Sequence, residues 1–362
     1  MDTRTSAISL LAAISVTVAT SVSGTEAVRV ERVNSSATLH AAMKRANGSG
    51  FTEIVLDPGR YRIRKTLRIR ASHIAIRSSS GKYADTVLVG NGMRAADSVD
   101  NLIEVSGQHV SITGLTLRDA GNHLIQVRGE RNADHFTLKD SALINAYQQL
   151  LKVSADASSE ISADFGTVSG SLFAYENSLG PNFYIGGIDA HKGKNWIVEE
   201  NSFHNIASPA NQVAEFAIHF WSQSANNKVR NNFILNCDRG IGFGLGKHQH
   251  RRNDGGEISG NTIFHPRTSN PFSDVGIALE NSPDTVVNDN TVLLRHNYPN
   301  AIEYRFPGTQ SVIIKQNTLN RAVRSRNQGS GSVFENRKVS SDSEVWARVA
   351  KIARKHDPRF SE

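Results

Sequence analysis

In the middle of the chain the sequence reads Gly187-Ile188-Asp189-Ala190-His191, with apolar residues at the second and fourth places and polar residues at the third and fifth. Successive side chains of a β-strand point to opposite faces of a sheet, so this five-residue frame has two inward and two outward places. The frame recurs at Leu102-Ile103-Glu104-Val105-Ser106, Leu124-Ile125-Gln126-Val127-Arg128, Leu150-Leu151-Lys152-Val153-Ser154, Ala217-Ile218-His219-Phe220-Trp221, Gly240-Ile241-Gly242-Phe243-Gly244, Gly276-Ile277-Ala278-Leu279-Glu280 and Ala301-Ile302-Glu303-Tyr304-Arg305. Such recurrence predicts a stack of similar strands.

The spacing of these frames indicates how the strands are connected. Their second places are separated by 22 to 37 residues along the chain. A solenoid accepts turns of variable length while the stacked strand stays constant, whereas a helical repeat of fixed length does not vary in this way. The pattern predicts an all-β chain folded as a single-stranded right-handed parallel β-helix. Ile188 and Ile218 are expected in one interior column, and the third and fifth places are expected in solvent.

A second repeat supports the same fold. Five asparagines precede short apolar strands at intervals of 27 to 31 residues: Asn201, Asn232, Asn261, Asn290 and Asn317. Asparagine tolerates the left-handed conformation, and its amide can bond a stacked copy of itself, so it suits the bend between two sheets. We interpret these asparagines as structural.

The domain organisation follows from the two ends of the chain. Residues 1–27 combine Arg4 with the short apolar run 8–16 and Thr25-Glu26-Ala27, which is typical of a secretory signal peptide. Residues 28–337 are assigned to one β-helix domain that begins with a short helical cap at 36–46. Residues 338–362 are assigned to a C-terminal capping helix, expected to cover the last sheet edge, and a tail. Export is expected, to the periplasm or the medium.

Composition restricts the partners. The net charge is +7 and the sequence pI is about 9.5. Three of the cations, Lys247, Arg251 and Arg252, lie in one insertion, which is interpreted either as a solvated loop or as a clamp for a polyanion. No exposed aromatic residues alternate with the cations, so nucleic acid is a poor partner. An acidic polysaccharide is the expected partner. We expect no membrane span and a monomeric protein. The single Cys237 excludes an internal disulfide.

The outward places predict a site. In rung order Asp189, His191, His219 and Trp221 form one patch, with Lys152 on the preceding rung, because neighbouring strands are about 4.8 Å apart. The next rung carries glycine at both outward places, Gly242 and Gly244. Two missing side chains beside a polar cluster predict a cleft that could hold a sugar ring.

Two stretches resemble known families. Residues 54–61 resemble the opening rung of many exported β-helix carbohydrate enzymes, and Gly187-Ile188-Asp189-Ala190-His191-Lys192 resembles a Gly-Ile-Asp-Pro-His-Asp run of mannuronan C5-epimerases. The epimerase resemblance implies that His191 abstracts the C5 proton of a uronate and that Asp189 supports it. Ala190 and Lys192 stand where that family has Pro and Asp. The chain also resembles β-helix polysaccharide lyases, whose lysine and arginine pair would correspond to Lys152 and Arg305.

The residue types fit this chemistry. The C5 proton of a uronate becomes acidic when the adjacent carboxylate is neutralised, so the site needs cations and a base with a pKa near neutral. His191 or His219 is the predicted base. The predicted catalytic residues are His191, Asp189, His219, Lys152 and Arg305. The residues predicted to contact the substrate carboxylate or the sugar are Trp221, Arg128, Lys192, Gly242, Gly244, Glu280, Lys247, Arg251 and Arg252. Trp221 is either a stacking platform or a packed side chain, and Glu280 and Arg305 are either substrate contacts or an ion pair.

The function predicted is therefore a polysaccharide lyase or uronate C5-epimerase, with an alginate-like substrate favoured. Two alternatives stay open: a glycoside hydrolase that uses Glu280 and Glu303, about 8 Å apart on adjacent rungs, and a noncatalytic carbohydrate-binding protein. No cofactor is required by the pattern. Calcium is left open, since Asp189, Asp274 and Glu280 are too scattered to define a site.

Overall fold

The computed structural model describes residues 28–95, 100–210, 212–268 and 272–356. Their strands form three long sheets, and every strand pair in them is parallel. The chain visits the three sheets in turn, as a parallel β-helix requires. The signal peptide predicted for residues 1–27 lies outside the described residues.

The ten-stranded sheet carries the repeated frame, and its outer side is called the site face below. Its strands, in spatial order, are Leu67–Ile69, Ile103–Val105, Ile125–Arg128, Leu151–Ser154, Ile188–His191, Phe216–Trp221, Arg239–Phe243, Ile277–Glu280, Asn300–Arg305 and Ala322–Arg326.

The other two long sheets complete each turn. The twelve-stranded sheet consists of Arg29–Val33, Thr52–Leu56, Ile74–Ser78, Ser111–Thr113, Thr137–Lys139, Thr167–Ser169, Ile197–Glu199, Lys228–Arg230, Gly256–Ser259, Thr285–Asn288, Val312–Lys315 and Gly331–Phe334. The eleven-stranded sheet consists of Gly59–Arg62, Thr86–Val89, Thr116–Ala120, Ala142–Ala146, Leu172–Ala174, Ser202–His204, Phe233–Leu235, Thr262–His265, Thr291–Leu294, Thr318–Leu319 and Arg337–Lys338. A two-stranded sheet pairs Ser224–Ala225 with Asn253–Asp254.

The predicted register is confirmed. Ile188 lies opposite Ile218, and the second places of all eight frames form one buried interior column. Two rungs were missed by the sequence interpretation: residues 66–70 stack before the first frame, and residues 322–326 stack after the last. Burial of this continuous apolar column, rather than local propensity, fixes the register, because a slip of one residue would exchange the interior and exterior side chains.

The asparagine ladder is confirmed in one respect and wrong in another. The amides bond to each other from Asn201 to Asn317, with nitrogen to oxygen distances of 2.9 to 3.0 Å. The left-handed conformation, however, is adopted by the residue before each asparagine, such as Asn231 or Asp289. The ladder asparagines are needed for their buried amides and not for the turn geometry.

Helices lie at both ends of the described chain. Helix α1, Ser36–Ser49, has Ser35 as its N-cap and packs its apolar face on the first rung, as predicted. Helix α2, Glu344–His356, does not cover the last sheet edge, which corrects the prediction. Its Trp346 packs against Phe264 on the outer face of the eleven-stranded sheet. Its other end lies on the same face, where His356 stacks on Phe233. The helix contacts three successive rungs there, those of Phe233, Phe264 and Leu293. Its apolar stripe, Trp346, Val349, Ala350 and Ala353, is buried there against the outward side chains of that sheet.

The expectation that all third and fifth places face solvent is also wrong. Third places in the middle of the site face are buried, from Lys152 to Glu303. Phe216, at the start of one strand, and Val275 and Tyr298, just before two others, lie over the sheet, where they pack around Ala278. The site face is therefore partly covered by the chain itself.

Candidate functional site

An ionic cluster lies at the middle of the site face. Asp189 accepts hydrogen bonds from Lys152 Nζ and, at 2.7 Å, from Trp221 Nε1. Lys152 Nζ also lies 2.8 Å from His191 Nε2. The parallel register puts these groups together, since Lys152 pairs with Asp189 and His191 pairs with Trp221. The sequence prediction that these side chains converge is confirmed.

Exposure differs sharply within the cluster. The side chains of Asp189 and Lys152 are 5% and 10% exposed, whereas that of His191 is 22% exposed. The imidazole of His191 meets the Trp221 ring edge-on, with ring centres 4.3 Å apart. His191 is thus the titratable member of this cluster that an external molecule reaches most readily.

Electrostatics fix the charge of the carboxylate. Burial alone raises the pKa of the Asp189 carboxyl, but the charge of Lys152 and the adjacent imidazole of His191 outweigh burial and hold the pKa well below its usual range. Asp189 is therefore an anion that orients Lys152 and Trp221.

The second predicted base, His219, is enclosed. Its side chain is 1% exposed, and its Nε2 lies 3.0 Å from the carbonyl oxygen of Gly244. Phe216 packs against the ring, with ring centres 4.7 Å apart. Burial lowers the pKa of His219 to about 4, so the ring is neutral at pH 7. His219 fits a positioning role better than proton abstraction.

The buried histidines predict a pH dependence of stability. Burial lowers the pKa of His219, and burial together with the charge of Lys152 lowers that of His123, each to about 4. In the unfolded chain the histidine pKa is about 6.5, so between about pH 6.5 and 4 the unfolded state binds more protons. The melting temperature is expected to be steady above about pH 7 and to fall as the pH decreases through this window. A melting temperature that stays constant from pH 7 to pH 4 in thermal unfolding would contradict this.

The two glycines do not open a cleft, which corrects the prediction. A Cβ on Gly242 would lie 2.7 to 2.9 Å from the ring of Phe216, which fills that space. Gly244 has φ of +74°, and a Cβ there would lie 1.8 Å from the Glu280 carbonyl oxygen. These positions require glycine because a ring and a backbone approach closely, and not because a sugar binds there.

Two predicted cations lie elsewhere. Lys192 is buried, and its ammonium donates to the carbonyl oxygens of Ala157 and Ser159, so it anchors a loop instead of meeting substrate. Arg305 lies four strands from His191 in the sheet, about 19 Å, and pairs with Glu280. The assignment of Arg305 as the partner of Lys152 is wrong.

The carboxylates of the hydrolase alternative are already engaged. Glu303 is 1% exposed and accepts hydrogen bonds from Tyr298 at 2.7 Å, Asn300 at 2.6 Å and Arg326 at 3.0 Å. Glu280 pairs with Arg305 and accepts from the backbone of Gly246. The prediction of an ion pair between Glu280 and Arg305 is confirmed, and neither carboxylate is available to act on a glycosidic bond.

The basic insertion folds beside the cluster. The guanidinium of Arg251 lies over the Trp221 ring, 6.0 Å from its centre. The carbonyl of His248 accepts from Asn281, which ties the insertion to the next rung. Arg252 pairs with Asp254, while Lys247 is exposed. Trp221 is therefore a packed side chain between Asp189 and Arg251. Arg251 lies over the same indole that His191 contacts.

Several residues of this region were missed by sequence interpretation. Glu215 is half-buried, and burial followed by the negative charge of Asp189 raises the pKa of its carboxyl. The residues that were missed all stand before the first place of a frame: Glu215, Phe216, Tyr298 and Asn300. The third and fifth places of the frames, from which the site was predicted, could not include them. The signal that could have found them is the run of one to three residues before each frame.

No cluster of three metal-ligating side chains occurs in the described residues. Within the same part of the chain, no helix is long and apolar enough to span a membrane. Cys237 is buried and unpaired, and burial raises the pKa of its thiol, in keeping with the predicted structural role.

Comparisons with known proteins define the fold class. No family model matches the chain, and no curated protein matches it in sequence. Solved structures that it resembles include an alginate lyase from Paenibacillus sp. str. FPU-7, at TM-score 0.53 and 16% identity over 84% of this chain and 99% of that one. The adhesin PfbA of Streptococcus pneumoniae matches at TM-score 0.56 and 12% identity, over 84% and 89%. A mannuronic acid specific family 6 lyase from human gut microbiota matches at TM-score 0.50 and 15% identity, over 87% and 84%. The chain has the right-handed parallel β-helix fold also found in polysaccharide-active proteins.

Proposed function

We propose that this protein binds an acidic, uronate-containing polysaccharide and abstracts the C5 proton of a uronate unit, as a lyase or C5-epimerase. The observation that carries the proposal is the contact of a partly exposed imidazole, His191, with a buried ammonium, Lys152, at 2.8 Å. A base and a cation side by side are the two groups that C5 proton abstraction needs. Alginate lyases among the structures of the same fold make alginate the first substrate to test.

Lys152 is proposed to neutralise the substrate carboxylate. An ammonium has three donors, and two of them are directed to Asp189 and His191. The donor that His191 accepts can turn to a uronate carboxylate placed against His191. Such a contact strengthens as the carbanion forms and its charge spreads into the carboxylate, which is the condition for lowering the barrier. Arg251, above Trp221, supplies a second cation at the same edge.

His191 is proposed to take the proton. With Lys152 protonated, His191 Nε2 is the acceptor of their hydrogen bond. When the uronate carboxylate competes for the ammonium, Nε2 is released and its lone pair can accept the C5 proton. Asp189 and Trp221 hold the two groups in place through the bonds described above. Whether the carbanion then expels the C4 substituent or is reprotonated from the other side decides between lyase and epimerase.

A substrate screen tests the proposal. Purified protein is incubated with alginate, polymannuronate, pectate, glucuronan and glycosaminoglycans, with and without EDTA. Ultraviolet absorbance reports the unsaturated ends made by a lyase, and deuterium uptake from heavy water without chain scission reports an epimerase. Reducing ends with neither signal would indicate a hydrolase and overturn the proposal. Binding with no reaction would favour the noncatalytic alternative, and a loss of activity in EDTA would establish the metal dependence left open by the sequence.

The basic insertion makes a separate prediction about binding. Replacing Lys247, Arg251 and Arg252 together with serine is expected to weaken polymer binding about 10-fold or more at low salt, and less at high salt, because exposed charges are screened. The measurement is a titration with polymannuronate at two ionic strengths.

The matched control for the insertion removes the same charge elsewhere. Arg32, Arg60 and Arg62 are exposed and lie on the other two sheets. If the control variant loses as much affinity as the insertion variant, or if neither loses any, the insertion is only a solvated loop.

A further inference from the structure

A groove lined by four arginines lies on the site face, towards the N-terminal end of the solenoid. It has a volume of about 380 Å³, and its lining consists of Arg68, Arg70, Glu104, Ser106, Arg128 and Arg131. The lining thus holds four guanidinium groups and one carboxylate, that of Glu104. Guanidinium groups bind carboxylates and sulfates through paired, charge-assisted hydrogen bonds, so the groove has the chemistry of an anion site.

Part of this charge is not neutralised by the protein. Glu104 lies 3.6 Å from Arg68 and 3.3 Å from Arg128, and Arg128 also bonds Glu130. Arg70 and Arg131 are exposed and have no ion-pair partner among the described residues. These two cations are therefore free to bind an external anion.

The groove is in line with the cluster at His191. The rung of Glu104 stacks on those of Arg128, Lys152 and His191 in turn, so the groove centre is three rungs, about 14 Å, from His191. Gln126 and Ser154, which are uncharged and half-exposed, lie between them. The same stretch holds the buried Lys152 and the carboxylate of Glu130, which is paired with Arg128. A chain along the solenoid axis could contact the groove and His191 together.

The other direction along the site face is blocked. Beyond Trp221 the apolar side chains of Phe216, Val275 and Ala278 cover the sheet together with Tyr298. A second basic groove, of about 800 Å³ with Arg324 and Arg326, lies on the far side of this apolar cover. Its Arg326 is engaged by Glu303. Among the described parts of this face, the open path from His191 leads only towards the N-terminal groove and its arginines.

We propose that the arginine groove is a distal subsite that binds the anionic group of a sugar unit several positions from the unit that reacts at His191. This inference rests on the proposed function for the identity of the polymer. Binding at a distance supplies energy that positions the reacting unit, so long chains should bind and react better than short ones. A disaccharide at His191 is too short to reach the groove.

The test compares Arg70→Ser/Arg131→Ser with the control Arg60→Ser/Arg62→Ser, which removes the same charge from the neighbouring sheet. Both are placed in the His191→Ala background, so binding is measured without turnover. Calorimetry uses mannuronate oligomers of two and of eight units, with sulfated chondroitin oligomers of the same lengths to separate carboxylate from sulfate recognition. The groove variant is expected to weaken binding of an eight-unit chain about 10-fold or more and of the two-unit chain less than about 2-fold, and the control variant neither.

The outcomes separate this inference from the proposed function. If the groove variant and the control bind long chains equally, or if the loss is the same for short chains, the distal subsite is overturned even where the enzyme is active on uronates. If long-chain binding is lost as expected but the parent protein shows no turnover on any polymer, the subsite stands and the proposed chemistry fails.

Discussion

Replacing His191 with alanine is expected to reduce turnover on the confirmed uronate polymer by about 100-fold or more, while the dissociation constant for the polymer changes only a few-fold. The reason is that a positioned general base contributes on this scale to proton transfer, whereas the cations that bind the chain are unchanged. Steady-state kinetics and calorimetry on the same preparation measure the two effects.

The controls for His191 separate the base from its neighbours. His40→Ala, on helix α1, should leave turnover unchanged. His219→Gln is expected to lower turnover less than His191→Ala, since the His219 ring is enclosed. If His191→Ala keeps near-normal turnover and Lys152→Met abolishes it, the base is Lys152, and a polysaccharide lyase is favoured over an epimerase.

Replacing Asp189 with alanine is expected to destabilise the folded protein by about 3–5 kcal/mol, the usual effect of leaving a buried partner charge unpaired. Lys152 is only 10% exposed and would lose its carboxylate, and the indole of Trp221 would lose its acceptor. Turnover should also fall, because Lys152 and Trp221 would no longer be held against His191. Thermal unfolding together with urea titration measures the loss.

Two variants serve as controls for Asp189. Glu160→Ala removes an exposed carboxylate and should change stability by less than about 0.5 kcal/mol. The double variant Asp189→Leu/Lys152→Met leaves no unpaired charge and should recover much of the lost stability without recovering activity. An Asp189→Ala protein as stable as the parent would show that the buried ion pair does not hold the site together.

The sequence predicts well which outward side chains of neighbouring strands lie side by side on the site face. The alternation that buries Ile188 and Ile218 is the signal that also stacks Lys152, Asp189 and His219 in one outward column. Because strand register is enforced by the buried side chains, the neighbours of each outward residue follow directly from the frame. This is why the contacts of Asp189 with Lys152 and of His191 with Trp221 could be anticipated.

The rest of the site could not be predicted because the frame describes five places of each strand and not the residues just before and after them. Phe216 stands one residue before its frame, yet its ring fills the space over Gly242. Lys192 stands one residue after its frame and turns its ammonium to a loop. Such positions depend on the paths of connecting segments of variable length, for which strand alternation carries no information.

The most direct test of the central claim is the fate of the C5 hydrogen. Polymannuronate labelled with deuterium at C5 is incubated with the protein, and the label is followed by nuclear magnetic resonance as it leaves the polymer for water. Proton abstraction predicts that the label is released as products form, for a lyase and an epimerase alike, and that His191→Ala slows release by about 100-fold or more. Products that form with the label still at C5 would contradict the account.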